Sequence, residues 1–150
     1  HEMIGYNYRL SNICAGIGRG QLKTLDDRLA LRKRNYEFYK QAFKDLPVTM
    51  APTTPGCNSN YWLSVLTVNE DCSVTPDEII AKLESDNIES RRAWNPMHNQ
   101  PIFGDADFIT CESGESVGDN IFRRGVCMPS GTSMTEADLE RVAEVFRSAF

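Results

Sequence analysis

The sequence predicts an α+β fold, and three observations carry that expectation. Apolar residues recur three and four apart through the first third of the chain, the period of an amphipathic helix. Short stretches rich in β-branched and aromatic types come later. Capping signals mark further helices between and after them. In order the elements read helix, strand, helix, strand, loop, helix, strand, helix, which makes three short strands with helices layered on one face.

Residues 1–9 show no helical period. Ser11 or Asn12 suits a helix cap, because either side chain accepts from an otherwise unpaired N–H. Leu22, Leu25, Leu29, Arg32, Tyr36, Tyr39, Phe43 and Leu46 then follow at alternating spacings. They predict one long amphipathic helix ending before Pro47, with Arg32 alone interrupting its apolar stripe. Gly16, Gly18 and Gly20 fall in its first turns, each costing a helix about 1 kcal/mol relative to alanine. That cost makes sense where another backbone approaches closely. Their spacing is not G-x-G-x-x-G and no strand precedes them, so a dinucleotide-binding turn is excluded.

Pro47, Pro52, Pro55 and Gly56 make residues 47–60 a loop. Tyr61 to Val68 reads as a buried strand. Thr75-Pro76-Asp77-Glu78 starts a helix running to about Ser85, with a cap, a proline at the first position and acids against the dipole. Asn87 to Ser90 is a short strand candidate. Residues 91–114 read as irregular, longer than a compact domain usually gives a loop, and such stretches are often functional. A short helix near 115–124, a strand at Val126-Cys127-Met128 and a helix capped at Thr135, running to about Phe150, complete the pattern.

At 150 residues the chain is one domain or one domain with an extension. It has no apolar run near the ~18 residues of a membrane span and no basic-then-apolar leader, so a soluble, cytoplasmic protein is expected. Five cysteines, at 14, 57, 72, 111 and 127, form no C-x-x-C pair; neither zinc nor a disulfide framework is expected. The net charge is −5 with basic residues interleaved among acids, which argues against a nucleic-acid partner.

Three constellations carry possible chemistry. Gly5-Tyr6-Asn7-Tyr8-Arg9-Leu10-Ser11-Asn12 sets aromatic, amide and guanidinium groups just before a helix, a combination suited to phosphate or carboxylate; the plain alternative is a solvated helix entry. Arg91-Arg92-Ala93-Trp94-Asn95-Pro96-Met97-His98-Asn99-Gln100-Pro101 offers His98 to a sugar hydroxyl or proton, Trp94 for ring stacking and arginines for a diphosphate. Its plain alternative is a solvated arginine edge with a structural histidine. Met128 to Thr135 reads as a turn ahead of a helix. There is no G-x-S-x-G, P-loop or H-E-x-x-H motif, and no histidine-based metal site is plausible with two histidines. The lysines at 23, 33, 40, 44 and 82 sit among other charges, unlike a desolvated Schiff-base lysine.

Gly5 to Asn12, followed by Ala15-Gly16-Ile17-Gly18 and Gln21-Leu22, closely resembles the DegT/DnrJ/StrS sugar aminotransferases downstream of their Schiff-base lysine. The likeness continues through Arg32, Tyr39, Asn60-Tyr61-Trp62-Leu63, Ile88-Glu89-Ser90-Arg91, Trp94 to Pro101 and Cys127-Met128-Pro129-Ser130-Gly131. The block from Ser90 to Pro101 looks most like the branch making 4-amino-4,6-dideoxy-N-acetyl sugars of bacillosamine type.

The resemblance implies the small C-terminal domain of an aspartate-aminotransferase-like (fold-type-I) enzyme, with a small, mainly antiparallel sheet. Residues 1–22 would lead in from a large domain and 23–150 would form the small one. It implies pyridoxal 5'-phosphate as cofactor, glutamate and a nucleotide-linked keto-sugar as substrates, and a homodimer with composite sites. Asn7 would reach the phosphate of the partner subunit's cofactor. Arg9 would meet an amino-donor carboxylate or a sugar-nucleotide phosphate. His98 would line the sugar cleft, with Trp94 and Arg91 beside it. The lysine, the acid for the pyridine nitrogen and the phosphate cup would all precede His1, so the 150-residue chain alone is expected to be inactive. The alternatives are a sugar dehydratase on the same scaffold and a non-catalytic dimerisation or binding module.

Overall fold

A computed structural model describes residues 2–8, 10–110 and 116–150. Arg9, one of the expected site residues, and Cys111 lie outside the described residues.

The elements run α1 (Asn12–Leu22), α2 (Leu25–Ala42), β1 (Val48–Met50), β2 (Ser64–Val68), α3 (Pro76–Ser85), β3 (Arg91–Arg92), α4 (Val117–Arg124), β4 (Gly125–Met128) and α5 (Glu136–Arg147). The strands form one antiparallel sheet in the order β1-β2-β4-β3. The fold is therefore α+β, as the pattern implied, with four strands where three were expected.

The departures have local causes. The single long helix is broken at Lys23 and Thr24. The Thr24 hydroxyl donates to the Gln21 carbonyl at 3.2 Å, competing with the helical ladder. Asp26 and Asp27 then favour a fresh N-terminus one residue later. β1 lies inside the expected loop, where three residues between prolines are too few to show alternation; Val48 pairs with Val68 and Met50 with Leu66. β2 begins at Ser64 rather than Tyr61, because Tyr61 takes φ +47° and leaves the extended region. The strand expected at Asn87 to Ser90 begins at Arg91 instead. Asn87, at φ +57°, closes α3: its N–H reaches the Glu84 carbonyl and the Ile88 N–H reaches that of Leu83. That pair of bonds is the Schellman arrangement, which turns a helix end into a reversal.

The core forms where α2, α3 and α5 meet one sheet face. Leu66 and Val68 of β2 and Val126 and Met128 of β4 point into it, against Tyr39, Phe43, Ile79, Leu83, Leu139 and Phe146. Phe43 stacks on Phe146 with centroids 4.2 Å apart. Gly125 and Cys127 alternate to the other side. There a Cβ at Gly125 would collide with the Ile121 carbonyl oxygen and lie 2.5 Å from the Ala93 Cβ, so glycine lets α4 turn directly into β4.

The turn from Met128 to Thr135 is pinned by α2. Tyr39 Oη donates to the Pro129 carbonyl at 2.9 Å, and fully buried Asn35 donates to that of Gly131 at 2.9 Å. Arg34 donates to the Met134 carbonyl at 2.6 Å, and Ser130 Oγ accepts the Ser64 N–H at 2.8 Å. Those bonds give the motif a structural duty.

α1 buries nothing within the chain. Ile13, Ile17, Leu22 and Leu25 are all exposed, and among the described residues nothing beyond the adjoining helix backbone lies within 4 Å of a Cβ built at Gly16, Gly18 or Gly20. The close approach expected at those glycines is not made by this chain.

Candidate functional site

The loop after β3 gathers the polar and aromatic groups. Ala93 N–H still pairs with the Gly125 carbonyl, at 3.0 Å, so the loop leaves the sheet edge in a fixed direction. Trp94 is next, more than half exposed, with its ring 5.7 Å from that of the equally exposed Trp62. Trp62 is held from below: the Arg32 guanidinium donates to its carbonyl, and its N–H donates to Asn60 Oδ1 at 3.0 Å. Arg32, the one polar residue in the stripe, thus ties α2 to the segment entering β2.

Two open hollows flank Trp94. One, of about 690 Å³, runs between β3 and the pinned turn and includes Ser90, Arg91 and Arg141. The other, of about 610 Å³, is lined by Met97, Gln100 and Ile121 among others.

His98 lies in the short 3-10 turn Met97–Asn99. Its Nε2 is 3.0 and 2.9 Å from the two Asp119 carboxylate oxygens. Its ring stacks on Phe108, centroids 3.6 Å apart and 18° from parallel. Asp119 stands in the first turn of α4, where Ser116 Oγ donates to it at 2.5 Å and accepts its N–H at 3.0 Å. The Asn99 amide also donates to it. These donors, Ser116 first and His98 second, hold the Asp119 carboxyl below the usual range.

The adjacent arginines divide their duties. Arg92 forks onto Asp77 at 2.8 and 2.6 Å and donates to the Arg123 carbonyl at 3.0 Å, clamping β3 to α3 and α4. Arg91 pairs only at the surface, with Glu89 at 2.9 and 2.6 Å, where such pairs contribute at most about 1 kcal/mol. It can be reclaimed by a ligand.

Asn7 is exposed on the entering segment, and no described residue bonds its amide. No described hydrogen bond or ring contact joins that segment to the loop. Arg91 and Trp94 line the first of these hollows, His98 is held by Asp119 and Phe108, and no described contact joins Asn7 to any of them. Sequence reading missed Trp62, Phe108 and Asp119. Ser116-x-x-Asp119 is a capping signature, but nothing in sequence links it to a histidine 21 positions earlier.

The lysines at 23, 33, 40 and 44 are exposed, and half-buried Lys82 pairs with Asp86 at 3.2 Å. Among the described residues no cluster of metal-binding groups occurs, the four cysteines are unpaired, and no helix is long and apolar enough to cross a membrane.

This architecture recurs in solved enzymes. A DegT/DnrJ/EryC1/StrS aminotransferase from Brucella abortus superposes with a TM-score of 0.77 at 24% identity, over 93% of this chain and 36% of that one. An E. coli GDP-4-keto-6-deoxy-D-mannose-3-dehydratase with bound hydrated pyridoxal phosphate also gives 0.77, at 22% identity, over 96% and 37%. These likenesses define the class, a small C-terminal domain of the aminotransferase-type fold. The chain belongs to the DegT/DnrJ/EryC1/StrS aminotransferase family, whose profile matches residues 1–147. EpsN of Bacillus subtilis, which carries the name of a pyridoxal phosphate-dependent aminotransferase, is 43% identical over all of this chain and 38% of its own length. GDP-perosamine synthase of Caulobacter vibrioides is 32% identical over 93% and 37%. The chain thus spans under two fifths of the length of these relatives.

Proposed function

We propose that the chain is the C-terminal part of a pyridoxal-phosphate-dependent aminotransferase that moves an amino group from glutamate to a nucleotide-linked keto-sugar. The sugar is of the 4-keto-6-deoxy-N-acetylhexosamine type, and the product feeds amino-sugar synthesis for cell-surface polysaccharide. The enzyme works in the cytoplasm as a homodimer whose sites draw on both subunits. The family match over residues 1–147 carries this reading.

The side chains suit the phosphate end of the cofactor. Asn7 presents an exposed carboxamide with no partner among the described residues, an N–H donor of the kind a phosphate oxygen accepts. No lysine here is desolvated, as one joined to the aldehyde would be. When bound, the cofactor supplies the electron sink that amino transfer needs. Asn7 holds its phosphate in the partner subunit's site. Arg9, a forked cation, pairs with the glutamate carboxylate or a nucleotide phosphate. His98 meets a sugar hydroxyl, Trp94 stacks on a ring, and Arg91 exchanges Glu89 for a phosphate oxygen. The lead-in 1–22 lies against the large domain, which accounts for the exposed apolar side chains of α1.

In the full-length enzyme, Asn7→Ala should weaken pyridoxal-phosphate retention about tenfold in equilibrium dialysis, the worth of one charge-assisted hydrogen bond. Unchanged retention removes Asn7 from the phosphate site. The dehydratase that shares the fold makes the fate of glutamate the discriminating observation.

A further inference from the structure

We propose that Asp119 is a positioning residue for His98, holding the imidazole by its Nε2–H and leaving Nδ1 as the acceptor that meets a sugar hydroxyl. The inference rests on the reading of His98 as a sugar-facing residue and names the atom that makes the contact.

Both oxygens of Asp119 lie within hydrogen-bond reach of Nε2. That carboxylate already receives Ser116 Oγ and the Asn99 amide. It also stands in the first turn of α4, where the helix dipole favours negative charge. An ionised carboxylate can only accept, so the hydrogen between it and the imidazole belongs to Nε2. A neutral imidazole with Nε2–H has a bare lone pair at Nδ1. No described residue is bonded to Nδ1. Phe108 against the ring face fixes the imidazole plane, and with it the direction of that lone pair. The side chain is one fifth exposed, so the ring is held yet not sealed. A sugar hydroxyl is the matching partner, because it brings a donor hydrogen to an uncharged acceptor.

The chain has two histidines, so His98→Gln assigns the ring signals. In mildly basic buffer, long-range ¹H–¹⁵N correlation of the labelled chain should show His98 with a protonated Nε2 and a bare Nδ1. Asp119→Ala should give shifts averaged between tautomers. An Nδ1–H form, or averaging in the unsubstituted chain, overturns the proposal. In the full-length enzyme, Asp119→Asn should raise KM for the keto-sugar about tenfold and leave KM for glutamate within about twofold. Equal loss in both substrates with a lowered Tm overturns positioning in favour of a structural role. A locked tautomer with an unchanged sugar KM in both Asp119→Asn and His98→Gln overturns the sugar contact, and with it the reading of His98 on which this rests.

Discussion

Gly125 shows how much one absent methyl can decide. Its Cβ would meet a backbone carbonyl, that of Ile121, which cannot swing aside as a flexible side chain can. Gly125→Ala should therefore cost about 1–3 kcal/mol, as overpacking does, and lower the urea midpoint; an unchanged midpoint contradicts the packing given for the α4–β4 junction. The Asp45–Arg147 pair makes a different kind of test. Hydrogen bonds from Arg147 at 2.8 and 2.5 Å lower the Asp45 carboxyl from 3.8 to about 2. A folded-state value below the unfolded one gives stability that is present above about pH 4 and is lost as the pH falls toward about 2. Asp77, Asp119 and Asp138 are shifted in the same direction. Tm should hold level above about pH 5 and fall through that acid window, with a smaller fall in Arg147→Gln. The same acid slope in both proteins would mean that the pair contributes nothing.

Among the elements, helix starts were the most legible because their signals are local. Thr75 and Thr135 both form reciprocal capping boxes, with Glu78 and Asp138, where the sequence placed caps. Thr135→Ala should cost about 1 kcal/mol in denaturant unfolding; Thr135→Ser should recover most of it, and equal losses in the two variants would point away from capping. The α1–α2 break was hidden because apolar spacing carries across it while the hydroxyl that breaks it reports on backbone. β1 and β3 were lost or displaced for a related reason. Strands of three and two residues have too little alternation to read, and neighbours β2 and β4 define them. In the candidate site, Trp94, His98 and Arg91 were legible as residue types in one loop. What each touches was not: Trp62 and Asp119 arrive from other elements, and Arg92 is set apart from Arg91 by Asp77 and by the Phe122 and Arg123 carbonyls.

Taken whole, the molecule has a packed region and a segment whose apolar side chains are exposed. Residues from Arg34 onward supply a closed aromatic and aliphatic core, while α1 and the segment before it leave Met3, Ile4, Tyr6, Tyr8, Ile13 and Ile17 in solvent. Burying one such side chain fully is worth roughly 1.5–3 kcal/mol, so covering this face would contribute several kcal/mol to an assembled enzyme. The same segment carries exposed Asn7, so in the proposed assembly covering this face would also bring that amide to the cofactor phosphate. The proposed transfer turns on where the nitrogen of glutamate goes. With the full-length enzyme, pyridoxal phosphate, [¹⁵N]glutamate and a nucleotide-linked 4-keto-6-deoxy-N-acetylhexosamine, it predicts one ¹⁵N-labelled amino-sugar for each glutamate consumed. Loss of a sugar hydroxyl with no ¹⁵N in the product, or no turnover of the keto-sugar, would contradict it.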